Sequence, residues 1–253
     1  RAAGDAINKA TSGRVVVKYF PGGVMGNDDA VMKKIKLGQL NGALSSSTAL
    51  ADLYPDCQVY SLPFLFKSYA QVDAVRAKFD PILRAGLEAK GMAVMGMSEI
   101  GFSYLMGQKP IYTPNDLKGA KVWLPQGDAL SEAALQAAGV SGVPLAIPDV
   151  YTGLQTGLLD TAANVPVATM LLQWQTKLKT LTDLPLVYIM GYFVVDSKVL
   201  AKIDAADQAI VRAKFDAATR NMNAQIRTDN AKALAALSNQ KMQIVKLDAA
   251  QTA

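Results

Sequence analysis

The chain has 253 residues, 51% of them hydrophobic, and a formal net charge of +5. That is enough apolar material for one large domain or two of ordinary size, while the basic residues are too scattered, with no interleaved aromatics, for a nucleic-acid surface. The absence of histidine excludes His-based triads, the common zinc sites and imidazole proton shuttles, and a single cysteine, Cys57, excludes an intramolecular disulfide.

In chain order, RAAGDAINKATSGR reads as the end of an amphipathic helix stopping at Gly13, and RVVVKYF as the strand after it. Arg1 is not expected to be a natural start. The turn Phe20-Pro21-Gly22-Gly23 leads through Gly26 to Asn27, which suits the N-cap of the helix DDAVMKKIKLGQL. Val31, Ile35 and Leu37 or Leu40 supply its buried stripe. A short strand then ends in Ser45-Ser46-Ser47, whose hydroxyls suit either a helix cap or a ligand. Cys57, in a Tyr-Pro-Asp-Cys turn, reads as a small buried side chain rather than a nucleophile. YSLPFLF reads as a buried segment interrupted by proline, Gln71 to Gly91 as a helix, and GMAVMGMSEIGFSYLM as two strands separated by Glu99-Ile100-Gly101. No apolar run approaches the length of about 18 residues that crosses a bilayer, and no signal peptide is visible.

From Pro114 to Pro166 the pattern becomes turn, strand, helix, strand, helix, strand. Asn115 or Asp116 caps a turn ending at Gly119, and Lys121 to Leu124 forms a buried strand stopped by Pro125. A helix from about Ser131 ends at Gly139, where a left-handed residue is wanted. Val143 to Leu145 is a second strand, Asp149 caps the helix VYTGLQTG, and LLDTA returns as a third strand. Strand ends and helix N-termini in such a sheet face a crevice suited to a small polar ligand, so Trp123, Gln126, Asp128, Tyr151 and Asn164 converge on one rim; Trp123 alternatively belongs to the core. Further on, VATMLLQWQTKLKTLT reads as a helix with Met170, Leu171, Trp174, Leu178 and Leu181 on its apolar stripe; Trp174 suits the core or a pocket. LPLVYIMGYFVVD is a strand long enough to span two lobes, and from Ser197 the chain reads as one long helix or two stacked ones.

No nucleotide-binding, nucleophile-elbow or Cys-x-x-Cys motif is present, and Ser238-Asn239-Gln240-Lys241 matches Ser-x-x-Lys without its companion motifs. No cofactor or metal site is therefore expected. An enzyme without histidine would need a carboxylate pair, for which Glu99 and Asp128 at element ends are the candidates.

The ordered set Asp116-Leu117-Lys118-Gly119, Lys121, Pro125, Ala138-Gly139, Pro144, Pro148-Asp149-Val150-Tyr151, Leu154-Gln155-Thr156-Gly157, Asp160 and Asn164 resembles the solute-binding proteins of TRAP transporters, the DctP-like family. YFPGGVMGNDDAVMKKIKLGQLNGA and YSLPFLFKSY extend the likeness over nearly the whole chain. The resemblance implies an α/β fold of two lobes, like a periplasmic binding protein, with a ligand cleft between the lobes and a long C-terminal helical region. Lobe I would comprise residues 1–100 plus about 194–235, with its first strand preceding the given sequence. Lobe II would comprise residues 101–193 plus about 236–253. Leu184 to Val195 and Glu99 to Gly101 are the natural hinges.

The same resemblance implies capture of a small organic solute by lobe closure and delivery to TRAP membrane permease subunits, by a periplasmic monomer that is not an enzyme. The alternatives are the carboxylate-pair enzyme and a ligand-sensing receptor of the same fold. In the family an arginine binds the ligand carboxylate from the position occupied here by Trp123, and a second would fall at Ser103; no arginine occurs between Arg84 and Arg212. The ligand is then either an anion held by Lys121, backbone N–H groups and hydroxyls, or a less anionic molecule stacked on Trp123 with Glu99 or Asp128 as counter-charge. The expected ligand-binding set is Trp123, Ser103, Asn164, Tyr151, Ser46, Asn27, Gln126, Glu99, Asp128 and Trp174.

Overall fold

Helix α1, Ala2–Ala10, turns Ala3 and Ile7 inward and is closed by Thr11, whose hydroxyl donates to the Ile7 carbonyl at 2.9 Å and accepts the Val15 N–H at 3.1 Å. The computed structural model describes residues 2–248 and 251; residues 1, 249, 250, 252 and 253 of the expected lobes lie outside the described residues. RVVVKYF, expected as a strand, runs irregularly, because a ladder needs a neighbour and no described strand pairs with it. Helix α2, Asp28–Lys36, starts where Asn27 Oδ1 accepts the Ala30 N–H at 3.0 Å, as its sequence pattern predicts. Strand β1, Gly42–Ser46, feeds helix α3, Ser47–Ala51, and a short turn of helix at Pro55–Ser61 comes next. The YSLPFLF segment is not buried throughout: Tyr60 and Phe66 are, whereas Leu62, Phe64 and Leu65 are exposed.

Helix α4 covers Tyr69–Ala89. Strand β2, Met92–Gly107, is one continuous strand rather than two, because Gly101 takes a φ of 121° that lets the ladder bend without ending. A Cβ at Gly101 would stand 2.6 Å from Asn230 Nδ2. Next come β3, Val122–Pro125; α5, Ala129–Ala137; β4, Gly142–Leu145; α6, Ile147–Thr156; β5, Thr161–Asn164; and α7, Pro166–Leu171. The turn at Pro114–Leu117 is capped by Thr113 rather than Asn115 or Asp116, with Asp116 accepting from the Tyr112 and Thr113 N–H groups at 2.9 and 2.8 Å. Helix α5 starts at Ala129, capped by Asp128, rather than at about Ser131, and Gly139 lies past its end at φ 70°. Helix α6 begins after Ala146 with Pro148 inside its first turn, so Asp149 sits within the turn instead of capping it. The expected helix over VATMLLQWQTKLKTLT ends at Leu171: Gln173 adopts φ 59°, which drops Trp174 into the core through a short turn at Trp174–Thr176.

Strand β6 runs Thr180–Asp196, α8 Ser197–Leu200, α9 Ala205–Asn239 as one long helix, and β7 Gln243–Val245. The strand order is β1-β6-β2-β5-β3-β4, with β7 also on β6. The chain divides into two units. The first comprises Arg1–Val59, Ala70–Ile100 and Met190–Gln225; the second comprises Tyr60–Tyr69, Gly101–Ile189 and Ile226–Ala253. Strands β2 and β6 and helix α9 each pass from one unit to the other.

In the first unit β1 pairs antiparallel with β6, Gly42 opposite Val195, and a core of Ile7, Ala93, Met95, Leu200, Val211 and Phe215 lies beneath it. Asp207 receives Arg14 through two 2.8 Å bonds, which hold its carboxyl below the usual carboxylate range. In the second unit β3 runs parallel to β4 and β5, and β5 antiparallel to β2. Its core gathers Met106, Trp123, Val150, Leu154, Trp174, Leu181 and Leu237. No helix among the described residues is long and apolar enough to cross a membrane.

Candidate functional site

Register decides which side chains of the second unit can act together. Tyr104 on β2 lies opposite Asn164 on β5, Met106 opposite Ala162, and Val122 on β3 beside Thr161. Side chains alternate along a strand, so Tyr104, Met106, Ala162, Asn164 and Trp123 share one face. Ser103 falls on the other face, nearly fully buried. The structure thus brings Asn164 and Trp123 to the same face and does not bring Ser103 with them.

Trp123 is only 8% exposed. Its indole N–H donates to the Leu145 carbonyl at 2.9 Å, and its ring meets Trp174 edge-on, centroids 5.1 Å apart. The Leu145 carbonyl also receives the Gln126 N–H at 3.3 Å, so Trp123 ties the turn after β3 to the corner where β4 enters α6. Trp174 is fully buried, and its Nε1 has no partner among the described residues. Tyr151, half-buried on α6, packs against the same cluster with Lys177 Nζ 5.4 Å above its ring.

The polar residues at these strand ends divide into committed and available groups. Asp128 accepts the Ser131 N–H at 3.2 Å and its hydroxyl at 2.6 Å. Lys121 donates to the Gly157 carbonyl at 2.6 Å, and Asp160 accepts the Lys121 N–H at 2.9 Å. Gln126 is exposed. Asn164 Oδ1 accepts the Val165 N–H at 2.8 Å, which leaves the amide Nδ2 without a partner among the described residues.

Sequence reasoning missed Tyr104. Its ring packs on the core, its hydroxyl has no hydrogen-bond partner among the described residues, and burial, with Tyr69 and Asp183 nearby, pushes the phenol up to about 12. The alternation Phe102-x-Tyr104-x-Met106 could have flagged it as one face of a strand, but only the register against Asn164 identifies that face.

In the first unit, Asn27 and Ser46 flank Asp28. Ser46 donates from Oγ to Asp28 Oδ2 at 2.6 Å and from its N–H at 3.2 Å, and its Oγ accepts the Ala49 N–H at 3.2 Å as the cap of α3. Glu99 is 2% exposed and ion-paired to Arg76, which also reaches Asp80 at 2.9 Å. The Glu99 N–H donates to Asn223 Oδ1 at 2.9 Å, and Asn223 Nδ2 donates to the Met97 carbonyl at 3.1 Å, so this side-chain amide bonds β2 much as a neighbouring strand would. Among the described residues no group of three or more potential metal ligands occurs.

Two units joined by strands and a long helix are the architecture of periplasmic solute-binding proteins. The solved TRAP solute-binding protein of Sulfitobacter sp. NAS-14.1, with bound β-D-galacturonate, superimposes with a TM-score of 0.91 at 23% identity, covering 100% of this chain and 84% of that one. The protein of Citrobacter koseri, with bound D-glucuronate, gives 0.87 at 22% identity, covering 99% and 84%. The sequence pattern of the bacterial extracellular solute-binding protein family 7, DctP, matches residues 4–253, and the chain belongs to that family, as the motif series from Asp116 to Asn164 implied. It is 31% identical over 158 residues to the 2,3-diketo-L-gulonate-binding periplasmic protein YiaO of Escherichia coli K12, a match covering 62% of this chain and 48% of that protein. A solute-binding protein of Verminephrobacter eiseniae is 28% identical over 242 residues, covering 94% of this chain and 72% of that one. The chain thus matches about half the length of YiaO.

Proposed function

We propose that this protein captures a small organic solute outside the cytoplasm by closure of its two lobes and delivers it to the membrane permease of a TRAP-type transporter. The observation that carries this reading is the agreement of fold over the whole chain with solute-binding proteins that hold hexuronates. The lobes are the two units of the fold, and the protein acts as a periplasmic monomer without a cofactor. From the second unit Gln126, Tyr151 and Asn164 meet the ligand, with Trp123, Trp174 and Asp128 shaping the wall behind them and Ser103 supporting β2 from its opposite face. From the first unit Asn27 and Ser46 contribute, and Glu99 keeps the strand leading to the second unit in place.

The protein performs no chemistry on the solute. Both candidate carboxylates are committed, Glu99 to Arg76 and Asp128 to the start of α5, and neither is available as a general base. A thermal-shift panel of hexuronates, aldoses, dicarboxylates, aromatic acids, sulfonates and quaternary amines tests the reading. A ligand at a hundred times its Kd contributes about 2.7 kcal/mol, which raises the melting point by roughly 5–10 °C. A flat panel sinks the reading.

A further inference from the structure

Strand segment Gly101 to Gly107, β3 and β5 carry no charged residue at all. The polar groups on their shared face that lack a protein partner among the described residues are the hydroxyl of Tyr104 and the Nδ2 of Asn164. These residues oppose each other on neighbouring antiparallel strands, a position that sets their Cβ atoms about 5 Å apart. Neither atom is among the fully buried unpaired ones, so each is open to solvent and equally to a ligand with oxygen acceptors. Burial keeps the phenol protonated throughout the physiological range, and the amide never ionises, so both act as neutral donors. A compact dicarboxylate is best held by guanidinium or ammonium groups, which these strands do not supply. The oxygens of a polyhydroxylated ring match neutral donors, and its C–H face matches the rings of Tyr104 and Tyr151 that pack against the same core.

Resting on the solute-capture reading, we infer that Tyr104 is a specificity-determining ligand contact which, together with Asn164, selects a polyhydroxylated solute over a compact dicarboxylate.

The test is isothermal titration at pH 7 of D-galacturonate, D-glucuronate and succinate into the wild-type chain and Tyr104→Phe, a change that removes one oxygen and keeps the ring. The wild-type chain takes at least one hexuronate about ten-fold more tightly than succinate, and Tyr104→Phe loses about ten-fold of that affinity, the scale of a ligand hydrogen bond. The melting point of the unliganded variant stays within about 2 °C of wild type, as expected for loss of a hydroxyl with no internal partner. Hexuronate affinity equal in the two proteins, or tighter binding of succinate, overturns the inference and leaves solute capture standing. If none of the three binds while another class shifts the melting point in the wider panel, the inference fails alone. If nothing in that panel binds, both fail.

Discussion

The two units use different physics. The first holds itself with charge: Arg14 to Asp207, Arg76 to Glu99 and Asp80, Arg212 to Glu88, Arg220 to Asp216. The second contains both tryptophans and, of the chain's arginines, only Arg227; its order comes from rings packed edge-on and tilted, with Tyr69, Phe102 and Tyr188 at centroid distances of 5.0 and 6.1 Å from one another. Directed polar bonds to two buried carboxylates, Glu99 and Asp207, supplement the first unit's apolar core, whereas ring packing dominates in the second and leaves neutral donors uncovered. A unit built this way can offer the Tyr104 hydroxyl and the Asn164 amide to a ligand without first breaking a bond of either group.

Replacing one member of each system separates them. Trp123→Ala removes a buried indole and its bond to Leu145, and it should cost about 4 kcal/mol, a drop of roughly 10 °C in calorimetry. Trp123→Phe should lose only about 1 kcal/mol, and equal losses in the two variants would contradict the role given to packing. Arg76→Ala takes the guanidinium away from the buried Glu99 carboxylate, for about 3 kcal/mol, and adding Glu99→Gln should restore part of it. No recovery in the double variant would mean that Arg76 acts through its bonds to Asp80 and the Met97 carbonyl.

A smaller contrast is chemical. In the first unit burial raises the Cys57 thiol from 9.0 to about 12, with its Sγ 3.2 Å from the Ser47 carbonyl. The folded state holds that proton more tightly than the unfolded chain does. The associated stability is complete below pH 9 and declines as pH rises from 9 towards 12. Melting curves between pH 8 and 11 should fall more steeply for wild type than for Cys57→Ala, and identical slopes would remove Cys57 from the account. The smallest expected effect is at Ser46: Ser46→Ala loses the α3 cap and the bond to Asp28 for about 1 kcal/mol. If it weakens ligand affinity about ten-fold as well, Ser46 is a contact and not only a cap.

Much of this architecture was legible in the residues. The strand and helix succession from Lys121 to Asn164 is dictated by the placement of Pro125, Gly139 and Pro148, and the Asn27 cap by one side chain preceding an acidic first turn. Long-range pairing was not legible. RVVVKYF has the composition of a strand but no ladder partner among the described residues, and β2 stays continuous only because Gly101 bends it. The apolar stripe through Trp174 was read as helix, although a single left-handed residue, Gln173, ends that helix and buries the same ring. At the site, the element pattern nominated Trp123 and Asn164 and the family resemblance added Ser103, while strand parity puts Ser103 on the opposite face and adds Tyr104. Parity between strands more than fifty residues apart in sequence is set by register, which no local pattern encodes.

Strands β2 and β6 and helix α9 have a consequence for biosynthesis. Because each belongs to both units, no contiguous stretch of the polypeptide contains a whole one: the first must wait for Met190–Gln225, and the second for Ile226–Ala253. A chain emerging in order therefore cannot finish either unit before nearly all of it exists, and until then the edges of β2 lie open. Truncation upstream of Met190 should remove both units at once, whereas loss of residues 226–253 takes chain from the second unit alone, so the order of completion is built into the threading of β2, β6 and α9.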